Sequence, residues 1–366
     1  MSAPSPADDF PSRTADAAAG PADDFDHLPP VEPPSARFIV QLFVVPALIV
    51  MLIVGVWLLF GKLAAGDQNW QSLVAELEVD SSEANVHRRD RAALMLAQML
   101  SAAQVRPQAP ADGAPRLTEN PQLAEALARI YRQRLAARPS TEMEHKEQMY
   151  LSRALGLLDA PEAVPPLQEA TRPEHDPEVR RNALIEIAVV ANRAAERGPE
   201  HIARLAADRS LEADLIAAST ADEPPVRHVA AYALGLFPTP AARDRLEVLL
   251  GNGDESTRAN AAIGLARQNS TAGVAVFEEI LARGSEAPRP GNGADEFESL
   301  VSLRAALKAV ADLAAEFESA ERDRLMKLLE PLAEKHRVAE IRIHAENALR
   351  ALESARNGQR EHPEAT

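Results

Sequence analysis

The chain has 366 residues, a formal net charge of -16 and no cysteine. Without thiols it has no disulfide, thiolate zinc site or cysteine nucleophile, and its acidity argues against the phosphate neutralisation on which nucleic-acid binding depends. The same acidity disfavours a broad electrostatic dock on anionic lipid.

Residues 1–36 are dominated by Pro, Ala, Asp and Ser, with Asp8, Asp9, Asp16, Asp23, Asp24, Asp26 and Glu32 set against Arg13 alone. Such a segment buries too little apolar surface to offset its ordering entropy and is predicted to be a disordered acidic tail. Residues 37–62 follow, with an apolar run over 38–60 bracketed by Arg37 and Lys62. At about 1.5 Å per residue the run is roughly 34 Å long as a helix, enough to cross a bilayer core, and it predicts a single transmembrane span. A cleaved signal peptide would have a basic leader and a shorter apolar core, and a buried soluble helix is seldom apolar on every face. Trp57 suits an interfacial position, and Pro46 is tolerable within a span. Arg37 balances Lys62, so the positive-inside rule leaves the side of the body open. Gly55 and Gly61 lack the GxxxG spacing of close helix pairs.

From residue 67 to 354 the body alternates apolar helical patterns with Pro, Gly or Asp punctuation, without strand-like alternation, which makes it all-α. The pattern predicts helices over 68–79, 86–101, 120–137, 142–158, 161–170, 177–196, 199–208, 210–219, 224–236, 239–250, 255–268, 272–283, 296–317, 319–335 and 338–354. Two Pro- and Gly-rich stretches, 103–119 and 284–295, read as loops, and 355–366 reads as a disordered tail.

Several helices share a frame. Val179-Arg180 precedes Ala183 and Ile187-Ala188; Val226-Arg227 precedes Ala230 and Ala233-Leu234-Gly235; Thr257-Arg258 precedes Ala261 and Leu265-Ala266; Ile341-Arg342 precedes Ala345 and Ala348-Leu349. Self-similarity at a period near 31 residues signals a helical repeat array. Asp176, Asp222 and Asp254 stand at helix starts, where a carboxylate caps free N–H groups and the following Arg can reach back. Small Ala positions allow close packing of successive pairs, each of which completes its core only against its neighbour, and the first and last helices are the natural caps.

On these residues the chain resembles the HEAT-repeat family, in its short form, with the motif D-x-x-V-R-x-x-A-x-x-A-L-G fitting 176–188 and 222–235 best. Residues 254–266 depart from it in lacking the Val, and Leu303-Arg304 fits poorly. The Pro-rich stretch and span also resemble the start of membrane-anchored bacterial HEAT-repeat proteins. The resemblance implies a right-handed α-solenoid of HEAT-like helical repeats preceded by one transmembrane helix. It further implies a membrane-associated scaffold for protein partners or complex assembly, with no cofactor. Short repeats of this kind also occur in bilin lyases, so a lyase-like enzyme or chromophore chaperone is an alternative, as is an accessory subunit of a membrane transport complex.

No residue constellation predicts an enzyme. Glu142 and His145 have the spacing of half a di-iron site but lack a second pair, and no HExxH motif occurs. Gly55 to Lys62 has the wrong glycine spacing for a P-loop, and Leu63 stands where Ser or Thr belongs. Glu340 and His344 form an i,i+4 pair, and His201 and His228 read as surface or interface residues. The repeated Arg180, Arg227, Arg258 and Arg342 read as a structural ladder onto carboxylates and carbonyls, in preference to a stripe that grips an acidic partner.

Overall fold

The computed structural model describes residues 69–79, 83–105, 115–137, 141–285 and 293–361, together with 47, 48 and 50–55. Among the described residues, fifteen α-helices follow one another from Trp70 onward. The first pairs are α1 (Trp70–Leu77) with α2 (Glu83–Val105), α3 (Pro121–Ala137) with α4 (Glu142–Gly156), and α5 (Val164–Ala170) with α6 (Pro177–Arg197). The next unit has three helices, α7 (Pro199–Ala206), α8 (Arg209–Ala218) and α9 (Pro224–Leu234). Then α10 (Pro240–Leu249) pairs with α11 (Glu255–Arg267), α12 (Val274–Gly284) with α13 (Gly293–Asp312), and α14 (Ser319–Lys335) with α15 (Ala339–Glu361).

Helices α2, α4, α6, α9, α11, α13 and α15 each pack on the next to form one row. The partners form a second row, in which α1 meets α3, α3 meets α5, α8 meets α10, and α12 meets α14. The result is an all-helical solenoid in which contacts run between neighbouring units, and the described residues contain no strand. Helix starts are written into the sequence. Asn69, Asp176, Asp208, Thr239 and Asp254 each accept a backbone N–H from the first turn that follows, and Thr141 and Glu318 close capping boxes with Glu144 and Glu321. Pro177, Pro199, Pro224 and Pro240 occupy first-turn positions, where the missing N–H costs nothing. Between α6 and α7, Gly198 has φ 133°, which L side chains rarely adopt, and it turns the chain.

The core is alanine- and leucine-rich and runs the length of the array. Helix α11 joins its two parts, with Ala261 and Leu265 packed into the N-terminal part and Ala259, Ala262 and Ala266 into the C-terminal part. At the ends of the array, α1 buries Leu73, Val74 and Leu77 and exposes Gln71 and Ser72, while α15 buries Ile341, Ala345, Ala348 and Leu352 and exposes Glu346, Asn347 and Arg350 together with Ile343.

Some of these expectations fall within the described residues and others outside them. Among the described residues no helix is long and apolar enough to cross a membrane. Most of the expected span 38–60 lies outside the described residues; the described part, 47, 48 and 50–55, is helical and exposed. The acidic tail 1–36 also lies outside them. Of the expected loop 103–119, helix α2 takes residues up to Val105 and a 3-10 turn occupies Leu117–Glu119. Of 284–295, α12 reaches Gly284 and α13 begins at Gly293. Helix α15 continues past 354 to Glu361, because its sequence there remains free of helix breakers other than Gly358.

Backbone meets backbone between α9 and α11. A Cβ on Gly235 would sit 2.5 Å from the Gly264 Cα, and one on Gly264 would sit 2.7 Å from the Gly235 Cα. Gly235 has φ -62°, so its requirement is steric and not conformational. Gly235→Ala is expected to destabilise the protein by about 1–3 kcal/mol. Gly253→Ala, with nothing within 4 Å of the added carbon, is expected to stay within about 0.5 kcal/mol of the parent. Chemical denaturation followed by far-UV circular dichroism measures both.

Candidate functional site

The repeat positions singled out in the sequence all fall on the row that contains α6, α9, α11 and α15. Asp176 caps α6 at the Glu178 N–H, 2.8 Å away, and Val179 beside it is buried. Arg180 donates to the Thr171 carbonyl at 3.2 Å and to Glu223 Oε2 at 3.2 Å, joining α6 to the start of α9. Asp254 accepts from the Thr257 N–H at 2.9 Å and from its hydroxyl at 2.6 Å. Thr257, standing where the motif has Val, is thus fully buried with its hydroxyl satisfied.

Asp222 does not cap α9. The N-cap is Glu223, which makes no side-chain cap bond and faces Arg180 instead. The extra residue after Asp222 moves its carboxylate one step too far from the first turn. Its carbonyl serves in its place: Arg227 Nη1 donates to the carbonyls of Ala221 at 2.6 Å and Asp222 at 3.1 Å. Arg258 Nη1 does the same to Asn252 at 3.0 Å and Gly253 at 3.3 Å, and Arg342 Nη1 to His336 at 2.7 Å and Arg337 at 3.4 Å. In all three the guanidinium reaches the carbonyls five and six residues back. Val226 and Ile341, one position before their arginines, point into the core.

Other candidates have local partners. His145 Nδ1 lies 2.9 Å from the Thr141 carbonyl, and Glu142 pairs with Lys146 at 2.7 Å, so the Glu-x-x-His pair is engaged within its own helix. Glu340 sits 3.1 Å from Arg304 and 3.8 Å from His344. Among the described residues no group of three or more His, Asp or Glu is arranged to hold a metal. On the same row, the Arg267 guanidinium stacks 4.8 Å from the Tyr232 ring, bridging α9 and α11.

The structure also assembles polar groups that sequence spacing did not single out. Glu147 is 1% exposed and lies between Arg89 and Arg134, with closest distances of 3.1 and 2.8 Å. Arg134 also donates to the Leu77 carbonyl at 2.7 Å, so the cluster ties α1, α2, α3 and α4 together. Glu186 on α6 is 5% exposed and packs against Gly156 of α4. Burial pushes its carboxyl up to about 7, outweighing the opposing pull of Arg153 at 3.3 Å and of Arg193.

Near these groups lies a crevice between α4 and α6, too narrow to admit a water molecule. Tyr131, Gln148 and Ser152 form its floor, Met149 contributes to its wall, and His145, Glu178 and Asn182 stand at its mouth. Burial, with the Glu186 carboxylate adding to it, raises the Tyr131 hydroxyl above its ordinary pKa against the opposing hydrogen bond with Ser152, and Gln148 Oε1 has no hydrogen-bond partner in the structure.

Residues 212–289 match the sequence profile of the family described as HEAT repeats. Residues 212–289 carry HEAT repeats. The helical array is similar to several solved structures. YibA from Escherichia coli aligns at TM-score 0.44 and 17% identity over 79% of this chain and 84% of its own. The complex of CpcE and CpcF of phycocyanin lyase from Nostoc sp. aligns at TM-score 0.42 and 16% identity, over 79% of this chain and 96% of that one. A designed armadillo repeat protein aligns at TM-score 0.36 and 18% identity, over 70% of this chain and 99% of that one. No curated protein sequence matches the chain.

Glu186 gives the helical array a pH dependence. Its folded pKa of about 7 lies above the ordinary 4.5, so the folded state holds a proton that the unfolded chain releases earlier. The contribution is full below about 4.5 and is lost as pH rises through about 7. Glu186→Gln is expected to flatten the stability profile over that window and to be more stable than the parent at pH 8, by about 1–3 kcal/mol. Urea midpoints measured from pH 4 to pH 8 check it.

Proposed function

We propose that this protein is a membrane-anchored HEAT-repeat scaffold that gathers protein partners at a membrane. The observation that carries the reading is the continuous helix row from α2 to α15, which presents one long surface. Surfaces of that kind bind through extended contact with a partner and not through a single reactive centre. The apolar stretch 38–60 supports the anchor: it is long enough to span a bilayer, and each of its described large apolar side chains, such as Met51 and Leu52, is exposed to solvent. Held at a membrane, the array has a raised effective concentration for partners in the same plane.

Cross-linking in native membranes, affinity purification of the full chain and mass spectrometry test the reading, with a chain beginning at residue 67 as control. A membrane complex recovered in near-stoichiometric yield with the full chain, and lost from the membrane fraction with the shortened one, is the expected result. A full chain extracted by alkaline carbonate overturns the anchor. A small molecule or chromophore travelling with the repeats, with no protein above background, overturns the scaffold.

A further inference from the structure

We propose that the Asn252-Gly253 pair between α10 and α11 is a self-modifying site, at which Asn252 loses ammonia and converts to isoaspartate, loosening the corner that Arg258 fastens. The proposal does not depend on the scaffold reading.

Three Asn-Gly pairs occur in the chain, at 252–253, 292–293 and 357–358. Asn292 lies outside the described residues, and Asn357 with Gly358 lies within α15. Inside a helix the backbone angles are fixed and each N–H donates to the carbonyl four residues back, so the nitrogen that follows an Asn is tied down. Asn252 and Gly253 stand instead in the turn that joins α10 to α11.

That turn supplies what the reaction needs. The nucleophile is the main-chain nitrogen of Gly253, whose N–H makes no main-chain hydrogen bond among the described residues. Gly253 is exposed, and nothing lies within 4 Å of the place a Cβ would take. Neither a side chain nor a neighbour therefore blocks the swing that brings this nitrogen onto Asn252 Cγ. The electrophile is the Asn252 side-chain amide. Its Oδ1 accepts the Asp254 N–H at 2.9 Å, which holds the amide against its own turn and sets a donor on the oxygen where negative charge gathers during attack. Asn252 is half-buried, so solvent reaches the site.

In the first step the Gly253 nitrogen gives its proton to solvent and bonds to Asn252 Cγ. The Cγ–Nδ2 bond breaks, and Nδ2 takes up a proton and leaves as ammonia. The cyclic succinimide then adds a water molecule. Addition at Cγ breaks the new bond and leaves aspartate; addition at the main-chain carbonyl carbon breaks the original peptide bond and leaves isoaspartate. Water enters, ammonia leaves, and nothing is oxidised or reduced.

The two products differ in what they do to the corner. Arg258 Nη1 donates to the carbonyls of Asn252 at 3.0 Å and Gly253 at 3.3 Å. Aspartate keeps both carbonyls in the main chain at their original spacing. Isoaspartate routes the chain through Cβ and Cγ, lengthens it by a carbon, and turns the former Asn252 carbonyl into a free carboxylate. The added length falls just before Asp254, whose carboxylate caps α11 at the Thr257 N–H.

The test ages the full chain in detergent micelles in mildly alkaline buffer. Peptide mapping by mass spectrometry with electron-transfer fragmentation follows aspartate and isoaspartate at each Asn-Gly pair. The expected result is isoaspartate at 252, formed severalfold faster than at 357. Gly253→Ala, in which the added carbon meets no neighbour, is expected to fold as the parent does and to slow conversion severalfold, because its Cβ crowds the attacking nitrogen. Hydrogen exchange is expected to quicken over the first turn of α11 in the isoaspartate form. Freshly prepared Asn252→Asp, which carries the new charge without the added carbon, is expected to exchange there at the parental rate. Conversion at 252 no faster than at 357, an unchanged rate in Gly253→Ala, or parental exchange at α11 in the isoaspartate form each overturns the proposal.

Discussion

The array depends on how closely successive helices of the motif row approach one another. A helix pair has two faces to cover and only its neighbours to cover them with, so every interface must be close-packed for the whole to hold. Between α9 and α11 this is met by backbone against backbone at Gly235 and Gly264. Elsewhere along the row alanines such as Ala183, Ala230 and Ala261, all fully buried, keep the helices near each other. Small side chains bring little apolar area apiece. Leucines such as Leu184, Leu234 and Leu246, each fully buried, add bulk to the same core.

Buried charge is confined and paired. Glu147 lies between two arginines, and one of those arginines also satisfies the last turn of α1. Removing one partner from such a cluster leaves an uncompensated charge in a poorly solvated place, a larger penalty than the cluster's net contribution to stability. Glu186 is the contrasting case. One exposed arginine and one half-buried arginine do not outweigh its burial, and the carboxyl holds its proton into the neutral range. The two sites flank α4 on either side, so this helix is fixed to α2 by a charged lock and to α6 by a protonatable one.

Local signals in the sequence carried the fold. Apolar periodicity, capping residues and first-turn prolines are all short-range, and the fifteen helices of the array follow the order that they imply. Boundaries moved where the signals are weak: α2 runs on to Val105 because Gln104 and the alanines before it are good helix formers, and Asp222 lost its capping role to a one-residue insertion. Contacts between distant residues left no such trace. Nothing in the sequence pairs Gly264 with Gly235, or Arg89 with Glu147, since each belongs to a different helix and neither pair has a spacing rule.

The reach-back of Arg227, Arg258 and Arg342 has one more consequence. Their acceptors are main-chain carbonyls of Ala221 and Asp222, of Asn252 and Gly253, and of His336 and Arg337, six residues with little chemistry in common. Every residue type supplies a carbonyl. Each corner therefore stays fastened whatever side chains the turn carries, provided its length is kept. Turn sequences are free to drift, diversify or be grafted while the scaffold behind them keeps its geometry.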